Sequence, residues 1–367
     1  MRNKSLVLVP LLVLLCVSLA YAQANGKLQI HFIDVGQGDG AVLISPQGEV
    51  VLFDNGVRNK CDRPVSYLQQ LGVTQIDYHI TSHYHADHIG CTTEVLTEFP
   101  LQGPAFDRGK SYGSKTFEKY LTAIGSKRQT ATAGMTLTLD AGSSHPVKIE
   151  VAALNGAGVS TTNENDLSLV AVVHFGKFDV EIGGDLSGIK TGSYEDIESP
   201  VADKVGEIEV YKVHHHGSRY SSNETWLTRT NPIIGIISTG DGNSYGHPTQ
   251  LCLDRLHAAG VKTYWTESGA GATPIPGQDI VGGHIIVEVE PGSEVFTVTY
   301  SGSQVDTYAV HEADGVPITP TVSYAWSKKS KVYHYSNCVY VDNIKPANLE
   351  KGDSQPAGKR LHKGCPK

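Results

Sequence analysis

Positive charge is scarce over most of this sequence. Its 30 Lys and Arg face 38 Asp and Glu, for a formal net charge of −8. Nine Lys/Arg against three Asp/Glu leave residues 328–367 at +6, while residues 23–327 carry −16. So acidic a body excludes binding of nucleic acid by bulk charge. Charged residues make up only 19% and apolar residues 40%, so a sizeable core can be buried and global disorder is excluded. The 39 Gly and 17 Pro show no period, which excludes collagen-like and low-complexity classes. No long apolar run follows residue 20, so the mature protein is expected to be soluble, with no integral membrane segment. A chain of 367 residues suits one large domain or two ordinary ones.

The N-terminus reads as an export signal. Arg2 and Lys4 precede a 15-residue apolar run, Leu6 to Ala20, interrupted by Pro10. That is short of the ~20 residues needed to span a bilayer. Ala20-Tyr21-Ala22 supplies a small-x-small cleavage site. Residues 1–22 are therefore expected to be a signal peptide, and the mature protein secreted or periplasmic. An uncleaved anchor is the rival reading. Cleavage as a lipoprotein before Cys16 is disfavoured because Leu15 is not small. Export places the remaining cysteines where disulfides persist. Cys61 and Cys91 are candidates to bridge two motif loops, Cys252 reads as a buried free thiol, and Cys338 and Cys365 lie in the basic tail.

Strand-like and helix-like runs alternate. Strands are expected over Leu28–Asp34, Ala41–Ser45, Val50–Phe53, Ile76–Ser82, Met135–Leu139, Val147–Leu154, Leu167–Phe175, Phe178–Ile182, Glu207–Val213 and Ile233–Ser238. Helices are expected over Pro64–Leu71, His88–Glu98, Ser114–Ile124 and Thr249–Ala259, and a hairpin over His284–Tyr300. The pattern predicts an α/β protein of stacked layers. Residues 23–300 read as one large domain, 301–330 as a linker, and 331–367 as a small basic Cys/His module.

Chemistry concentrates in Thr81-Ser82-His83-Tyr84-His85-Ala86-Asp87-His88-Ile89-Gly90. His83 and His85, two apart in extended chain, point the same way. Asp87 and His88 follow where a helix begins. Three imidazoles and a carboxylate in six residues suit one or two first-row metals, zinc foremost, with Mn2+ an alternative. His-x-His-x-Asp-His after a strand resembles the metallo-beta-lactamase fold superfamily, an αββα sandwich with a metal site at one edge. Further motifs resemble the soluble hydrolase domain of ComEC-type competence (DNA internalisation) proteins. They are Phe32-Ile33-Asp34-Val35-Gly36-Gln37-Gly38-Asp39, Leu52-Phe53-Asp54-Asn55-Gly56, Asn165-Asp166-Leu167-Ser168-Leu169-Val170, Gly183-Gly184-Asp185, Lys212-Val213-His214-His215-His216-Gly217-Ser218 and Tyr245-Gly246-His247-Pro248.

That resemblance implies roles. His83 and His85 would bind one metal, Asp87 and His88 the other, and Asp185 would bridge both. His215 would complete the second metal, with a one-residue slip to His214 or His216 left open. His247 would contact the scissile phosphate or protonate the leaving group. Asp54 would orient a ligand histidine, or else only form a turn. Asp34 and Asp39 would line the site floor, or serve as turn residues. Asn165 lies where the wider superfamily carries a third histidine for the first metal. His145 and His174, also in that interval, are poorly placed, and His174 reads as a strand-face residue. Ser218 would donate to a phosphate oxygen, or cap a turn.

The chemistry expected is phosphodiester hydrolysis by a metal-bound hydroxide, with the cations stabilising the developing charge. Asp87, Asp185 and His247 are the candidate catalytic residues, and DNA is the expected substrate. Rival readings are a phosphocholine esterase acting on cell-wall or lipid phosphodiesters, and a non-catalytic nucleic-acid or envelope-binding protein. In the tail, His334, Cys338, His362 and Cys365 suit a structural zinc, with a Cys338–Cys365 disulfide an equal rival. Its cations and interleaved Tyr333, Tyr335 and Tyr340 suit contact with nucleic acid or envelope polyanions.

Overall fold

The computed structural model describes residues 24–311, 324–335, 344–352, 356 and 358–361. Residues 1–22, the expected signal, lie outside the described residues. The first half contains β1 (Leu28–Phe32), β2 (Gly40–Ile44), β3 (Val50–Asp54), α1 (Asp62–Gln70), β4 (Tyr78–Ile80), α2 (Ala86–Ile89), α3 (Thr92–Glu98), β5 (Ala105–Asp107), α4 (Lys115–Ile124) and β6 (Arg128–Thr130). The second contains β7 (Thr136–Leu139), β8 (Val147–Ala153), β9 (Val170–Phe175), β10 (Phe178–Ile182), α5 (Glu198–Val205), β11 (Val210–Lys212), α6 (Glu224–Thr230), β12 (Ile234–Ile237), α7 (Gln250–Ala258), β13 (Lys262–Trp265) and β14 (Asp279–Val281). The chain then returns to the first sheet through β15 (Ile285–Val289), β16 (Val295–Tyr300) and β17 (Gln304–Ala309).

Two sheets stack face to face. One has nine strands in the order β17-β16-β15-β1-β2-β3-β4-β5-β6, the other eight in the order β14-β13-β12-β11-β10-β9-β8-β7. Their central strands, such as β1, β2, β3 and β12, read as near-unbroken apolar runs because both faces are covered. Leu43, Val51 and Phe53 of the first sheet meet Ala171, Val173 and Val180 of the second in the central core. The alternate residues Val42, Ile44, Val50 and Leu52 turn outward onto Leu68 of α1, Val95 of α3 and Phe117 of α4. On the other side, Val170, Val172 and Tyr211 pack under Val201 of α5, Trp226 of α6 and Leu253 of α7. The result is a four-layer αββα sandwich.

Local signals set the helix starts. Ser114 Oγ accepts the Phe117 amide at 3.1 Å to cap α4, and the Asn223 side chain caps α6 through the Trp226 amide at 2.7 Å. The sequence suggests one helix over His88–Glu98, but the structure breaks it into α2 and α3. The Gly90 amide donates to the Gly56 carbonyl at 2.9 Å, and Cys91 is disulfide-bonded to Cys61. Asn55 accepts the Cys91 amide and donates to Thr92 Oγ1, both at 2.9 Å, so the break is held from below. Cys252 is a buried free thiol.

The expected linker over 301–330 needs correcting. Residues 304–309 pair antiparallel with β16 and form the edge of the nine-stranded sheet. Their weak pattern follows from that edge position, where most side chains face solvent. Beyond it, β18 (Tyr324–Ser327), β19 (Val332–Tyr335), β20 (Leu349–Gly352) and β21 (Arg360–Leu361) make a four-stranded sheet in the order β20-β18-β19-β21. Among the described residues, no helix is long and apolar enough to cross a membrane.

The Cys61–Cys91 bridge, at a separation of 30 residues, closes a loop that contains the whole histidine motif. A Cys61→Ser/Cys91→Ser double variant should lose about 3 kcal/mol of unfolding free energy. Denaturant titration measures this, and an unchanged midpoint would show that the bridge carries no stability.

Candidate metal centre

β10, β11 and β12 run parallel, as do β3 and β4, so the loops leaving their carboxyl ends emerge together at one edge of the sandwich. Asp54 ends β3, and His83 to His88 follow β4. Asp185 follows β10, His214 to His216 follow β11, and Ser238 follows β12. The glycines before Asp185 are required by crowding. A Cβ at Gly184, whose φ is +61°, would stand 2.7 Å from the Ser82 side chain.

Asp185 is the hub. Its Oδ1 lies 3.3 Å from His88 Nε2 and 3.6 Å from His216 Nε2. Its Oδ2 lies 3.8 Å from both His83 Nε2 and His215 Nε2. One carboxylate thus divides the histidines into two groups. His85 joins the second, with its Nδ1 3.0 Å from His83 Nε2. Asp87 joins the first, with Oδ2 3.4 Å from His216 Nε2.

The histidine triple splits three ways. His214 is sealed in the core between Glu198 at 2.8 Å and Glu181 at 3.0 Å, with Tyr211 and Trp226 against its ring. His215 and His216 both hold positive φ, 52° and 55°. Two adjacent left-handed non-glycine residues cost of order 1–3 kcal/mol each. The effect is to fan neighbouring rings to opposite oxygens of Asp185. The assignment of His215 beside Asp87 and His88 is therefore corrected: His216 stands there, and His215 stands with His83. Alternation along an extended segment does not anticipate this, because the local chain is not extended.

Other groups hold these rings still. Asp54, itself at φ 46°, accepts from His88 Nδ1 at 2.8 Å and from the Ser82 amide and hydroxyl at 2.9 and 2.6 Å. His88 Nε2 is thereby aimed at Asp185. His216 Nδ1 donates to the Ser238 carbonyl at 2.9 Å, which aims its Nε2 in the same way. Between His83 and His85, the Tyr84 amide donates to Glu164, which is ion-paired to buried Arg108. Asp39 lies in the floor, 2.8 Å from the buried Lys212 ammonium and 3.2 Å from His216 Nδ1.

The electrostatics follow from burial. Burial alone would raise the Asp185 carboxyl, but His216, His88 and His215 hold it well below its usual range. Burial opposes charge on His216 and His88 too, yet Asp185 with Asp39 pushes His216 up to about 10, and Asp185 with Asp54 pushes His88 well up. Burial and the neighbouring His88 push His83 well down. In this arrangement protonated imidazoles balance the carboxylates. His88 Nε2, His216 Nε2 and Asp185 Oδ1 are buried with no hydrogen-bond partner among the described residues. Two of the His/Asp groups close enough to share a cation are His83-His88-Asp185 and Asp87-His88-His216. Unpartnered, inward-facing imidazole and carboxylate donors suit a divalent metal.

The remaining candidates divide. Asn165 Nδ2 lies 3.3 Å from His215 Nε2, and Ser218 and His247 line the cleft above it. Burial and the His216 and His215 rings push His247 down to about 3, so it is neutral there. Asp34 is not in the floor. It accepts the Gly36 amide at 3.0 Å and pairs with Arg63 at 2.5 Å, and Arg63 also binds Glu267. That partner, far along the chain, leaves no local signal. His174 on β9 pairs with Asp179 at 2.7 Å, and His145 sits in an exposed loop, both apart from the centre. Cys338, His362 and Cys365 lie outside the described residues, and of His334 only the backbone in β19 is described. Sequence reasoning gave no role to the residues that wall the cleft of about 760 Å3, among them Tyr112, Tyr194, Arg219 and Tyr220. Scattered through loops, they share no spacing.

A family model described as the metallo-beta-lactamase superfamily matches residues 41–218. The chain is 28% identical over 253 residues to recombination protein 2 of Haemophilus influenzae, covering 67% of this chain and 29% of that protein. It is 26% identical over 267 residues to ComE operon protein 3 of Bacillus subtilis, covering 67% and 33%. The chain thus spans about a third of the length of these curated relatives. Among solved structures, the metallo-beta-lactamase fold protein YhfI from Bacillus subtilis matches with a TM-score of 0.43 at 10% identity, covering 71% of this chain and 100% of that one.

The sealed His214 makes stability depend on pH. Burial lowers its pKa, but Glu181 and Glu198 outweigh this and hold it at about 9, above the ordinary 6.5. The stabilisation is complete below pH 6.5 and lost as pH rises through 9. Glu181→Gln should be less stable than wild type at pH ~6 by about 1–2 kcal/mol, with the gap closing by pH ~10. Chemical denaturation across that range tests it, and a pH-independent gap contradicts it.

Proposed function

We infer that this chain, which belongs over residues 41–218 to the metallo-beta-lactamase superfamily and is related to competence proteins, is an exported metal-dependent phosphodiesterase, specifically a DNA nuclease. The observation that carries the reading is the single buried Asp185 carboxylate shared by two sets of imidazoles. His83, His85 and His215 would hold one ion, Asp87, His88 and His216 the other, and Asp185 would bridge them. Zinc fits the donors best, with manganese the alternative. A divalent ion bound there supplies Lewis acidity and an activated water at neutral pH.

The chain's own residues do the rest. Asp54 and Ser238 orient the His88 and His216 rings, and Glu164 holds the backbone between His83 and His85, so little reorganisation is needed at reaction. Asn165, Ser218 and His247 line the cleft and would hydrogen-bond phosphoryl oxygens. Because burial and its histidine neighbours keep it neutral, His247 serves as a hydrogen-bond donor to the bound phosphate rather than as a proton reservoir.

A relative named for recombination, together with the motif resemblance to ComEC-type competence proteins, favours DNA as substrate. The Cys61–Cys91 disulfide and the signal-like residues 1–22 support export. The +6 stretch 328–367 is the part suited to holding a polyanion by charge. Purified protein should contain one to two metal ions per chain and degrade DNA, and chelation should stop it. Asp185→Asn should lower the rate by at least about 100-fold. A variant as fast as wild type overturns the reading, and faster turnover of a choline phosphodiester than of DNA replaces it with the phosphocholine esterase.

A further inference from the structure

Four tyrosines stand around the cleft: Tyr112, Tyr194, Tyr220 and Tyr245. Many large aromatic rings of this protein are packed away, with Trp226, Trp265, Tyr84, Tyr120, Tyr211 and Tyr264 fully buried, whereas Tyr112, Tyr194 and Tyr220 are half-buried. Tyr245, by contrast, is 66% exposed. It lies nearly parallel to the His247 ring, with centroids 5.7 Å apart and planes at 24°. Tyr194 and Tyr220, which also line the cleft, stack at 4.8 Å and 27°, and Tyr194 reaches within 5.9 Å of His215. Tyr112 approaches His85 at 5.9 Å. The hydroxyls of Tyr112, Tyr220 and Tyr245 have no hydrogen-bond partner among the described residues. Arg219 lines the same cleft, is exposed, and makes no ion pair among the described residues. Aromatic faces left open to water beside a metal centre serve no packing purpose.

We propose that these tyrosines are stacking walls for unpaired nucleobases, so that the centre acts on single-stranded nucleic acid and not on the intact duplex. The proposal rests on the phosphodiesterase reading and names the form of its substrate. Stacking on aromatic rings tolerates any base, since every base has a π-face. In a duplex those faces are already covered by neighbouring base pairs, so only a strand with free bases can present them. Tyr245 receives the base on one side of the scissile phosphate, and the Tyr194–Tyr220 pair receives the base on the other. Arg219 contacts the backbone between. A quaternary ammonium is the other group that aromatic rings attract. Two observations disfavour it here: Tyr194 and Tyr220 cover one face of each other, and the Arg219 cation in the same cleft repels a second cation.

The test is fluorescence anisotropy with the full, metal-reconstituted chain and three probes. These are a phosphorothioate decathymidylate, its duplex with deca-adenylate, and an abasic strand of the same length. The single strand should bind at least about tenfold more tightly than the other two. Tyr245→Leu and Tyr220→Leu should each weaken its binding by about 5- to 100-fold, while Tyr245→Phe and Tyr220→Phe stay within about twofold. Tyr245 is exposed, so its substitution leaves the fold intact and keeps the test open if Tyr220→Leu misfolds. Equal affinity for single strand and duplex, leucine variants that bind like wild type, or competition by phosphocholine for the site each overturn the proposal. Cleavage of the ordinary phosphodiester strand is scored in parallel. Tyrosine-dependent binding without turnover sinks the nuclease reading but leaves the stacking walls standing. Turnover indifferent to the tyrosines does the reverse.

Discussion

Everything at the open edge of this sandwich answers to one constraint: Asp39, Asp54 and Asp185 are buried together and need positive charge beside them. The protein meets part of that need itself. Lys212 stands against Asp39, His88 against Asp54 and Asp185, and His216 against Asp39 and Asp185. The remaining deficit falls at Asp185, where two imidazole nitrogens and a carboxylate oxygen converge without hydrogen-bond partners among the described residues. The acidity of the body therefore has two parts. The surface carries ordinary solvated charge, whereas the floor of the cleft carries a concentrated demand for cations.

The scaffold makes that floor affordable by stacking two sheets whose carboxyl-end loops meet. Most of this was legible in the sequence. Apolar runs such as Val50–Phe53 and Val170–Phe175 signal strands covered on both faces. The spacing of His83, His85, Asp87 and His88 marks the centre before any fold is known. Three-residue strands such as β5 and β6 were not visible, because so short a segment has no measurable period. Neither was β17, whose edge position leaves it mostly polar.

At the centre itself, the unread features share a cause: they depend on partners distant in sequence or on strained backbone. The positive φ of His215 and His216 is imposed by the surrounding loops and is not encoded by residue type, so the triple gave the right region and the wrong ring. Asp34 looked like a floor residue among its glycines, but Arg63 and Glu267 draw it away. Asp54 offered both a turn and a role behind a histidine, and the structure uses both at once: a turn conformation at φ 46° and a bond to His88.

The path of the chain through the nine-stranded sheet also bears on how the protein is made. β1 lies between β2 and β15, so residues 28–32 pair on one side with residues 285–289. Until the ribosome has passed β15, the flank of β1 that β15 will cover stays open, as an unpaired apolar edge. At about 5–20 residues per second that interval lasts from roughly a quarter of a minute to a minute. A nascent chain in this state cannot close its central core, and a product stopped short of β15 would keep a sticky strand edge. Closure by a returning strand thus delays completion of the sandwich until β15 has been made, so that premature termination before it yields aggregation and not a smaller folded domain.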